Sequence, residues 1–325
     1  MDIMPASAAF AIALLCAATM GFAIQRGATC TVAAVDELLG KRSANRLLAF
    51  GEAALWVAGG LLAARAAGLL PQLPPGYAIS RWTLLGGALL GLGAWLNRAC
   101  VFGAIARLGS GEWAYAATPL GFYLGCLAVP WLFAPPAPQP LHGGSPVLAA
   151  PALALGAFAV FATWRLLRAL RHGGLRRWRE RVWAPHAATT VIGISFLVML
   201  LLVGAWAYTD ALAALAHGMT ASLPARLVLA AALLGGAVWG GWTAGRFRAT
   251  RIRARELLRC TAGGALMGAG TLLIPGSNDG LILVGMPLLW PYAWVGFATM
   301  CVAIALARQA FSHFDHARER AAAAS

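Results

Sequence analysis

Charged residues are scarce in this sequence, and several long stretches contain none. Only 11% of the 325 residues are charged, whereas 60% are hydrophobic and the mean hydropathy is +0.73. A soluble chain of this length could not bury so much apolar surface, and the apolar runs reach the ~20 residues that a bilayer-spanning helix needs. The composition therefore excludes an ordinary soluble protein and predicts an all-α polytopic membrane protein with one membrane domain over residues 1–325.

The sequence also lacks the familiar motifs of metal sites and of hydrolytic enzymes. Its six cysteines lie in or beside apolar segments, without Cys-x-x-Cys spacing, and its six histidines are scattered. This pattern argues against a disulfide scaffold and against a zinc site. No nucleophile-elbow, Walker or zinc-protease motif occurs. The sequence thus predicts a protein that is not an enzyme and that needs neither a metal nor a cofactor.

Basic residues exceed acidic ones, and the formal net charge is +14. Seven Arg fall within residues 165–181 and six within residues 246–259, both short segments between apolar runs. This distribution is typical of the positive-inside rule for membrane proteins. Because the chain has no separate basic domain, we expect no nucleic-acid partner.

The apolar runs predict nine membrane spans, numbered one to nine in chain order. Arg-rich joints alternate with joints that carry no Arg or Lys, which places the N-terminus outside and the C-terminus in the cytoplasm. The first run lacks a basic segment before it, so we interpret it as a retained helix rather than a cleaved signal peptide. The predicted spans are 5–25, 44–69, 81–98, 112–134, 146–170, 185–208, 222–244, 257–274 and 288–308.

Polar breaks interrupt this apolar pattern. Residues 26–31 (RGATCT) and 97–103 (NRACVFG) resemble each other, since each follows an apolar run and places an Arg just before a Cys. Residues 274–280 (IPGSNDG) follow a Gly-rich run in the same way. Irregular backbone at membrane depth is tolerated only where it is packed in protein or lines a cavity. The breaks therefore indicate a substrate pathway.

Span positions predict short re-entrant segments on both sides of the membrane. Residues 27–40 and 99–110 would enter from the cytoplasmic side, and residues 209–220 and 276–287 from the outer side. Residues 1–134 and 185–308 would then form two inverted halves of a pseudo-two-fold architecture, a common transporter design. Residues 146–170 would form a connecting helix, and 309–325 a cytoplasmic tail.

The best local sequence match between the two predicted halves lies in two Gly-rich segments, residues 85–91 (LGGALLG) and 262–268 (AGGALMG). A second explanation fits the same glycines equally well. Small residues allow two membrane helices to pack closely, whatever their relation by symmetry. Both explanations stay open at the level of sequence.

Cys30 and Cys100 are the main candidates for substrate binding. A neutral thiol is a weak hydrogen-bond donor and is polarizable, so it could bind a sulfur-containing anion that a thiolate would repel. Both would lie beside the start of a short helix, where backbone N–H groups favour an anion. The alternative is that either cysteine simply fills space. We interpret Cys16, Cys126, Cys260 and Cys301 in that way.

Other polar residues at the breaks extend this candidate site. Thr29, Asn97, Ser277 and Asn278 could donate hydrogen bonds to an anion without carrying charge. Arg26 and Arg98 could attract the anion at the cytoplasmic exit, or they could only maintain the topology and reach the interface. An ionised Asp279 would oppose an anion, so we expect this side chain towards the outer surface.

Glu52 lies within the second predicted span. A carboxylate inside a membrane is a candidate functional group by default, so Glu52 could couple transport to protons. The alternative is a structural ion pair with an Arg that is close by, such as Arg26.

At these residues the chain resembles the YeeE/YedE sulphur-transport family of inner-membrane proteins. The resemblance covers residues 21–31 (GFAIQRGATCT), 96–103 (LNRACVFG), 107–112 (RLGSGE), 263–270 (GGALMGAG) and 275–278 (PGSN). It implies thiosulfate uptake through inverted repeats with short central helices, in which cysteines pass the anion inward by S–H hydrogen bonds. Cys30 and Cys100 match two family cysteines. Ser277 stands where a third is usual, and its hydroxyl is a stronger donor but is less polarizable.

The resemblance and the topology together predict an inner-membrane importer of a small sulfur-containing anion, most simply thiosulfate, in a bacterial membrane. Two alternatives stay open. The protein could be a sulfur-relay enzyme that forms a persulfide on Cys30 or Cys100. It could instead be a membrane scaffold that docks a small soluble sulfur-carrier protein on its Arg-rich cytoplasmic faces, 165–181 and 246–259.

Overall fold

The computed structural model describes residues 8–132, 134, 137–171, 180–218 and 223–323, with side chains to residue 311. These residues form thirteen α-helices, three short helical turns of other types and no β-strand beyond one isolated bridge between Tyr77 and Pro140. The helices are α1 (Ala8–Gly27), α2 (Thr31–Lys41), α3 (Asn45–Ala66), α4 (Arg81–Asn97), α5 (Val101–Gly109), α6 (Ala117–Leu132), α7 (Ala152–Arg171), α8 (Pro185–Val203), α9 (Tyr208–Ala216), α10 (Leu223–Thr243), α11 (Ala254–Leu273), α12 (Asn278–Gly280) and α13 (Pro291–Ala323).

The structure confirms the predicted all-α polytopic class. Within the described residues, eight helical segments are long and apolar enough to cross a membrane. The number is nine if α11 and the bent segment Asn278–Gly285 count as one broken span; the two parts differ in direction by 52°. The expected limits at residues 5–7, 133 and 222, and the side chains of the tail beyond residue 311, lie outside the described residues.

Helix packing follows one pattern in both parts of the chain. When α1–α6 are matched in order with α8–α13, the contact of α1 with α10 corresponds to that of α3 with α8. The contact of α6 with α11 corresponds in the same way to that of α4 with α13. Two equivalent halves would produce this correspondence. The remaining long helix, α7, packs against α3 and has no buried residue, as a peripheral connecting helix would.

The α4–α11 crossing depends on glycine. A Cβ on Gly86 would lie 2.7 Å from the carbonyl oxygen of Gly270, and one on Gly93 would lie 2.6 Å from that of Gly263. The reverse distances are equally short, 2.6 Å from Gly270 to Gly86 and 2.7 Å from Gly263 to Gly93. Backbones this close leave no room for a larger side chain, so these glycines do serve close helix packing.

Candidate anion site among the short helices

Four short helices begin inside the protein, and the residue before each has extended backbone. Cys30 precedes α2, Cys100 precedes α5, Ala207 precedes α9 and Ser277 precedes α12. In the matched order of helices, Cys30 corresponds to Ala207 and Cys100 corresponds to Ser277. Each of the four starts follows a break after a longer helix. The predicted breaks at 26–31, 97–103 and 274–280 are therefore real interruptions of helix.

Cys30 and Cys100 lie together. Their side chains are within hydrogen-bonding reach of each other, and the backbone N–H of Thr31 donates to the Cys100 sulfur at 3.2 Å. The Cys30 residue is 9% exposed and Cys100 is fully buried. Gly103 in α5 makes room for the pair, since a Cβ there would lie only 2.6 Å from the Cys30 sulfur. The result is a close pair of thiols at two helix starts.

The turn before Cys100 is held by Asn97. Its buried amide donates to the carbonyl oxygen of Ala99 at 2.8 Å and accepts from the hydroxyl of Thr118 at 3.0 Å. Arg98, the next residue, has a left-handed backbone with φ of 59°, which ends α4 before α5 begins. Asn97 therefore stabilises the turn before Cys100, and these hydrogen bonds are to protein groups.

Asp279 forms a second polar cluster with α9, which corrects the expectation that it lies towards the outer surface. It is only 3% exposed. Both carboxyl oxygens are 3.0 Å from the hydroxyl of Thr209, and one oxygen accepts from the backbone N–H of Gly280 at 3.0 Å. Ser277 also contacts this carboxyl and lies 2.8 Å from the Thr209 hydroxyl. Thr209, which is far from Asp279 in the sequence, thus supplies a hydrogen-bond partner for the buried carboxyl.

A narrow cavity lies between α1, α5, the α8–α9 connection and the segment after Ser277. Its volume is about 10 Å³, close to the least that admits one water molecule. Phe102, Trp206, Tyr208 and Asp279 are in its wall. Within the part of the chain that the structure describes, neither Cys30 nor Cys100 lines it. The Tyr208 hydroxyl joins the two regions, since it donates to the carbonyl oxygen of Val101 at 3.2 Å.

Two hydrogen-bonding groups near this cavity have no protein partner. The indole N–H of Trp206 is buried without an acceptor, and Trp206 is 4% exposed. The side-chain amide of Asn278, which is fully buried beside Asp279, lacks a partner for both its nitrogen and its oxygen. Buried polar groups in folded proteins almost always have partners. The unmet N–H groups therefore indicate where a polar ligand could bind.

The sequence matches the family model described as sulphur transport from residue 26 to residue 306. The chain belongs to the YeeE/YedE sulphur transport family. This family match covers both thiols and the Asp279 cluster, and it makes the protein a multi-pass, sulfur-related transporter. No curated protein sequence is significantly similar to the chain.

Arg26 and Arg98, the two arginines expected to attract the anion, have different surroundings in the structure. Arg26 is 4% exposed and donates to the carbonyl oxygen of Glu180 at 2.7 Å and to the hydroxyl of Thr243 at 2.8 Å. It thereby ties the end of α1 to α10. Arg98 is exposed at the second break. Thr29 is buried in the first break, between α1 and α2.

Glu52 lies in a half-buried polar cluster formed by α3, α7 and α8. Its carboxylate contacts Arg165 of α7 at 2.6 Å and His186 of α8 at 2.5 Å, and it accepts from Thr190 at 3.0 Å. The ion-pair alternative therefore holds, but the partner is Arg165 and not Arg26. The cluster anchors α7 to α3 and α8.

The other four cysteines lie in or beside long helices, away from the two thiols at the breaks. Cys126 and Cys260 are buried, whereas Cys16 and Cys301 are half-buried. Residues 172–179 of the first Arg-rich face lie outside the described residues. On the second face, Arg259 contacts the hydroxyl of Tyr115 at 3.4 Å.

Sequence reasoning missed the contribution of α9. Trp206 and Tyr208 were expected only as the end of the sixth span, and Thr209 only as the start of a re-entrant segment. They supply a cavity wall, a link to α5 and the partner of Asp279. One signal was available. The run 204–210 (GAWAYTD) places a Gly and several polar groups directly after an apolar helix, as the other three breaks do.

Proposed function

We propose that this protein imports thiosulfate, or a closely related sulfur anion, into the cytoplasm of a bacterium. The observation that carries this proposal is the buried pair of Cys30 and Cys100 at the starts of α2 and α5. The proposal places the described parts of residues 1–134 and 185–308 as two inverted halves, with the N-terminus outside and the short helices meeting near the middle of the membrane. The correspondence of helix contacts between the two parts supports that placement.

The thiol pair suits a sulfur-containing anion for two physical reasons. First, a neutral S–H group donates a weak hydrogen bond and offers a polarizable surface to another sulfur atom. Second, helices of nine and eleven residues begin at these thiols, and the N-terminal end of a helix favours negative charge. Cys30 and Cys100 could thus bind an anion without a permanent positive charge that would hold it too tightly.

Donors from the other half complete the proposed path. The amide of Asn278 and the indole of Trp206 have N–H groups without a partner. Ser277 occupies the position that corresponds to Cys100 when the helices are matched in order. A thiosulfate ion that leaves water needs such donors, because a buried charge without partners is very costly. We assign Arg98, exposed at the second break, to receive the anion on the cytoplasmic side, with Arg26, Thr29 and Asn97 shaping that exit.

Because the cavity is so small, transport requires a movement of the protein. At about 10 Å³ it is far too small for a five-atom anion, since a single water molecule nearly fills it. The described conformation is therefore closed, and the anion must open a space between the thiol pair and the Asp279 cluster. Relative motion of two repeats around a central site is the usual way to achieve this.

Uptake of labelled thiosulfate into liposomes that contain only this protein tests the proposal. We expect Cys30→Ala and Cys100→Ala to abolish uptake without lowering the amount of folded protein. Cys16→Ala, on the half-buried side of α1, is the matched control and should transport normally. Unchanged uptake by Cys100→Ala would refute the assigned role of the thiols.

The same preparations separate this proposal from its rivals. A sulfur-relay enzyme would carry a persulfide on Cys30 or Cys100 after exposure to a sulfane-sulfur donor, which mass spectrometry would detect. A scaffold for a soluble sulfur-carrier protein would show no uptake into liposomes at all. Uptake by the purified protein alone, with unmodified thiols at the end of the reaction, is the result that we expect.

A further inference from the structure

Asp279 is an unusual residue for the interior of an anion transporter. Its carboxyl is 3% exposed and is held by the Thr209 and Ser277 hydroxyls and the Gly280 N–H. Among the residues that the structure describes, no Arg or Lys side chain forms a salt bridge with it. A carboxyl that is retained in a membrane interior without a cation marks a functional site, often a step in proton transfer.

Few titratable groups face Asp279 from the elements around it. Asp210 of α9 is near enough to act on it by charge, and the phenol of Tyr208 lies within electrostatic reach. Arg226 of α10 and Tyr292 of α13 act on Asp210. A second carboxyl nearby disfavours a charged Asp279, as burial also does. These surroundings favour a group that takes up a proton when further negative charge approaches.

The site of Asp279 also shows where that negative charge would come from. The carboxyl is in the wall of the cavity, together with Trp206, whose buried indole N–H lacks an acceptor. The neighbouring Asn278 amide, fully buried, lacks partners as well. These donors suit an anion, but an ionised carboxylate beside them would repel it. Occupancy by an anion and protonation of Asp279 therefore favour each other.

We propose that the protein is a proton–anion symporter in which Asp279 carries the coupled proton. This inference rests on the proposed function. The carboxyl takes up a proton from the outer side as the anion enters the space beside Trp206 and Asn278. When the anion has passed to the thiol pair and left, the carboxyl releases the proton to the cytoplasmic side. The O–H bond of the protonated Asp279 carboxyl is the one bond that forms and breaks in this cycle, and thiosulfate itself is unchanged.

Glu52 is less suited to this role, although it also lies inside a predicted span. Its carboxylate has a direct ion pair with Arg165 at 2.6 Å, and Thr190 donates to it at 3.0 Å. These contacts join α3 to α7 and α8, which gives the carboxylate a structural role. Glu52 is also outside the cavity wall in the part of the chain that the structure describes.

Thiosulfate flux into liposomes at zero membrane potential tests the proposal. Valinomycin with equal potassium on both sides removes the membrane potential. An external medium that is more acidic than the interior by about one pH unit then gives a proton concentration about tenfold higher outside, which drives each coupled proton inward. We expect this gradient to drive accumulation of thiosulfate by the wild type. Asp279→Asn should lose that response but keep exchange of external labelled for internal unlabelled thiosulfate. The matched control, Asp36→Asn at an exposed ion pair, should keep both.

Each outcome bears on a separate claim. Exchange without any response of the wild type to the pH gradient would overturn symport, and a normal response of Asp279→Asn would overturn the role of Asp279. Absence of exchange by the wild type would refute import itself. The wild type supplies a second measurement, independent of the folding of any variant: thiosulfate should draw protons inward, which an external pH indicator reports. No proton movement during uptake would overturn the proposal.

Discussion

Gly103→Ala is the sharpest perturbation of the thiol pair, because it changes no hydrogen-bonding group. The added methyl carbon would lie 2.6 Å from the Cys30 sulfur and 3.1 Å from the Cys30 Cβ. Favourable contacts between such atoms begin at about 3.5 Å. The thiol must therefore move by about 1 Å or the start of α5 must shift, since Ala99 closes the remaining side at 3.1 Å.

The energetic effect of Gly103→Ala follows from two opposing contributions. Overpacking a buried site costs about 1–3 kcal/mol, whereas Ala in place of Gly within a helix contributes about 1 kcal/mol in the other direction. The net loss of stability is thus about 0–2 kcal/mol, which leaves the protein folded. A displacement of about 1 Å still breaks the hydrogen bond from the thiol to the anion, which lowers affinity by about tenfold. We expect a reduction of that order in thiosulfate uptake.

The control for this prediction is Gly51→Ala in α3. A Cβ at Gly51 has nothing within 4 Å, so the variant tests the change in helix propensity alone. Uptake by Gly51→Ala should equal that of the wild type, and its thermal unfolding in detergent should occur at the same or a slightly higher temperature. Wild-type uptake by Gly103→Ala, with equal affinity for thiosulfate, would refute the reasoning that the position of the Cys30 thiol matters.

Two further predictions concern stability. Asn97→Ala should lower the free energy of unfolding by about 2–3 kcal/mol, because two buried hydrogen bonds are lost and the Thr118 hydroxyl is left unpaired; thermal unfolding measures this, with exposed Gln72→Ala as control. Glu52→Gln and Arg165→Met should couple by about 1 kcal/mol in a double-mutant cycle, a modest value because the pair is partly exposed. Additive effects would show that this pair does not fasten α7.

Local signals explain which parts of the site could be predicted. The long apolar runs predicted the helices, and a polar run after each of several helices predicted the breaks, because both signals depend on residues that are adjacent in the chain. The direct contact of Cys30 with Cys100 was not predicted, because it depends on how the two breaks pack together. The burial of Asp279 could not be predicted. Burying a carboxylate is costly, so the sequence alone favours a position at the surface unless a hydrogen-bond partner is known. That partner, Thr209, is 70 residues away.

The same limit applies to the charged residues. Glu52 was expected to pair with a nearby Arg, and the partner is Arg165, 113 residues further along the chain. Arg26 was considered as a group that attracts an anion or maintains the topology. Its guanidinium donates to the backbone carbonyl oxygen of Glu180 and to the hydroxyl of Thr243, both distant in the sequence. Electrostatic partners depend on tertiary contacts, which hydropathy and local motifs do not encode.

The two clusters of the candidate site differ in chemistry, and this difference bears on coupling. The thiols belong to α2 and α5, whereas Asp279 and its hydroxyl partners belong to α9 and the segment after α11. A symporter must hold its anion and its proton at once, and two separate sites permit this. We therefore expect thiosulfate to protect Cys30 and Cys100 from alkylation in Asp279→Asn as well as in the wild type, measured by mass spectrometry of the labelled thiols. Loss of protection in that variant would show that the two clusters act as a single site, and the separation of anion and proton would be refuted.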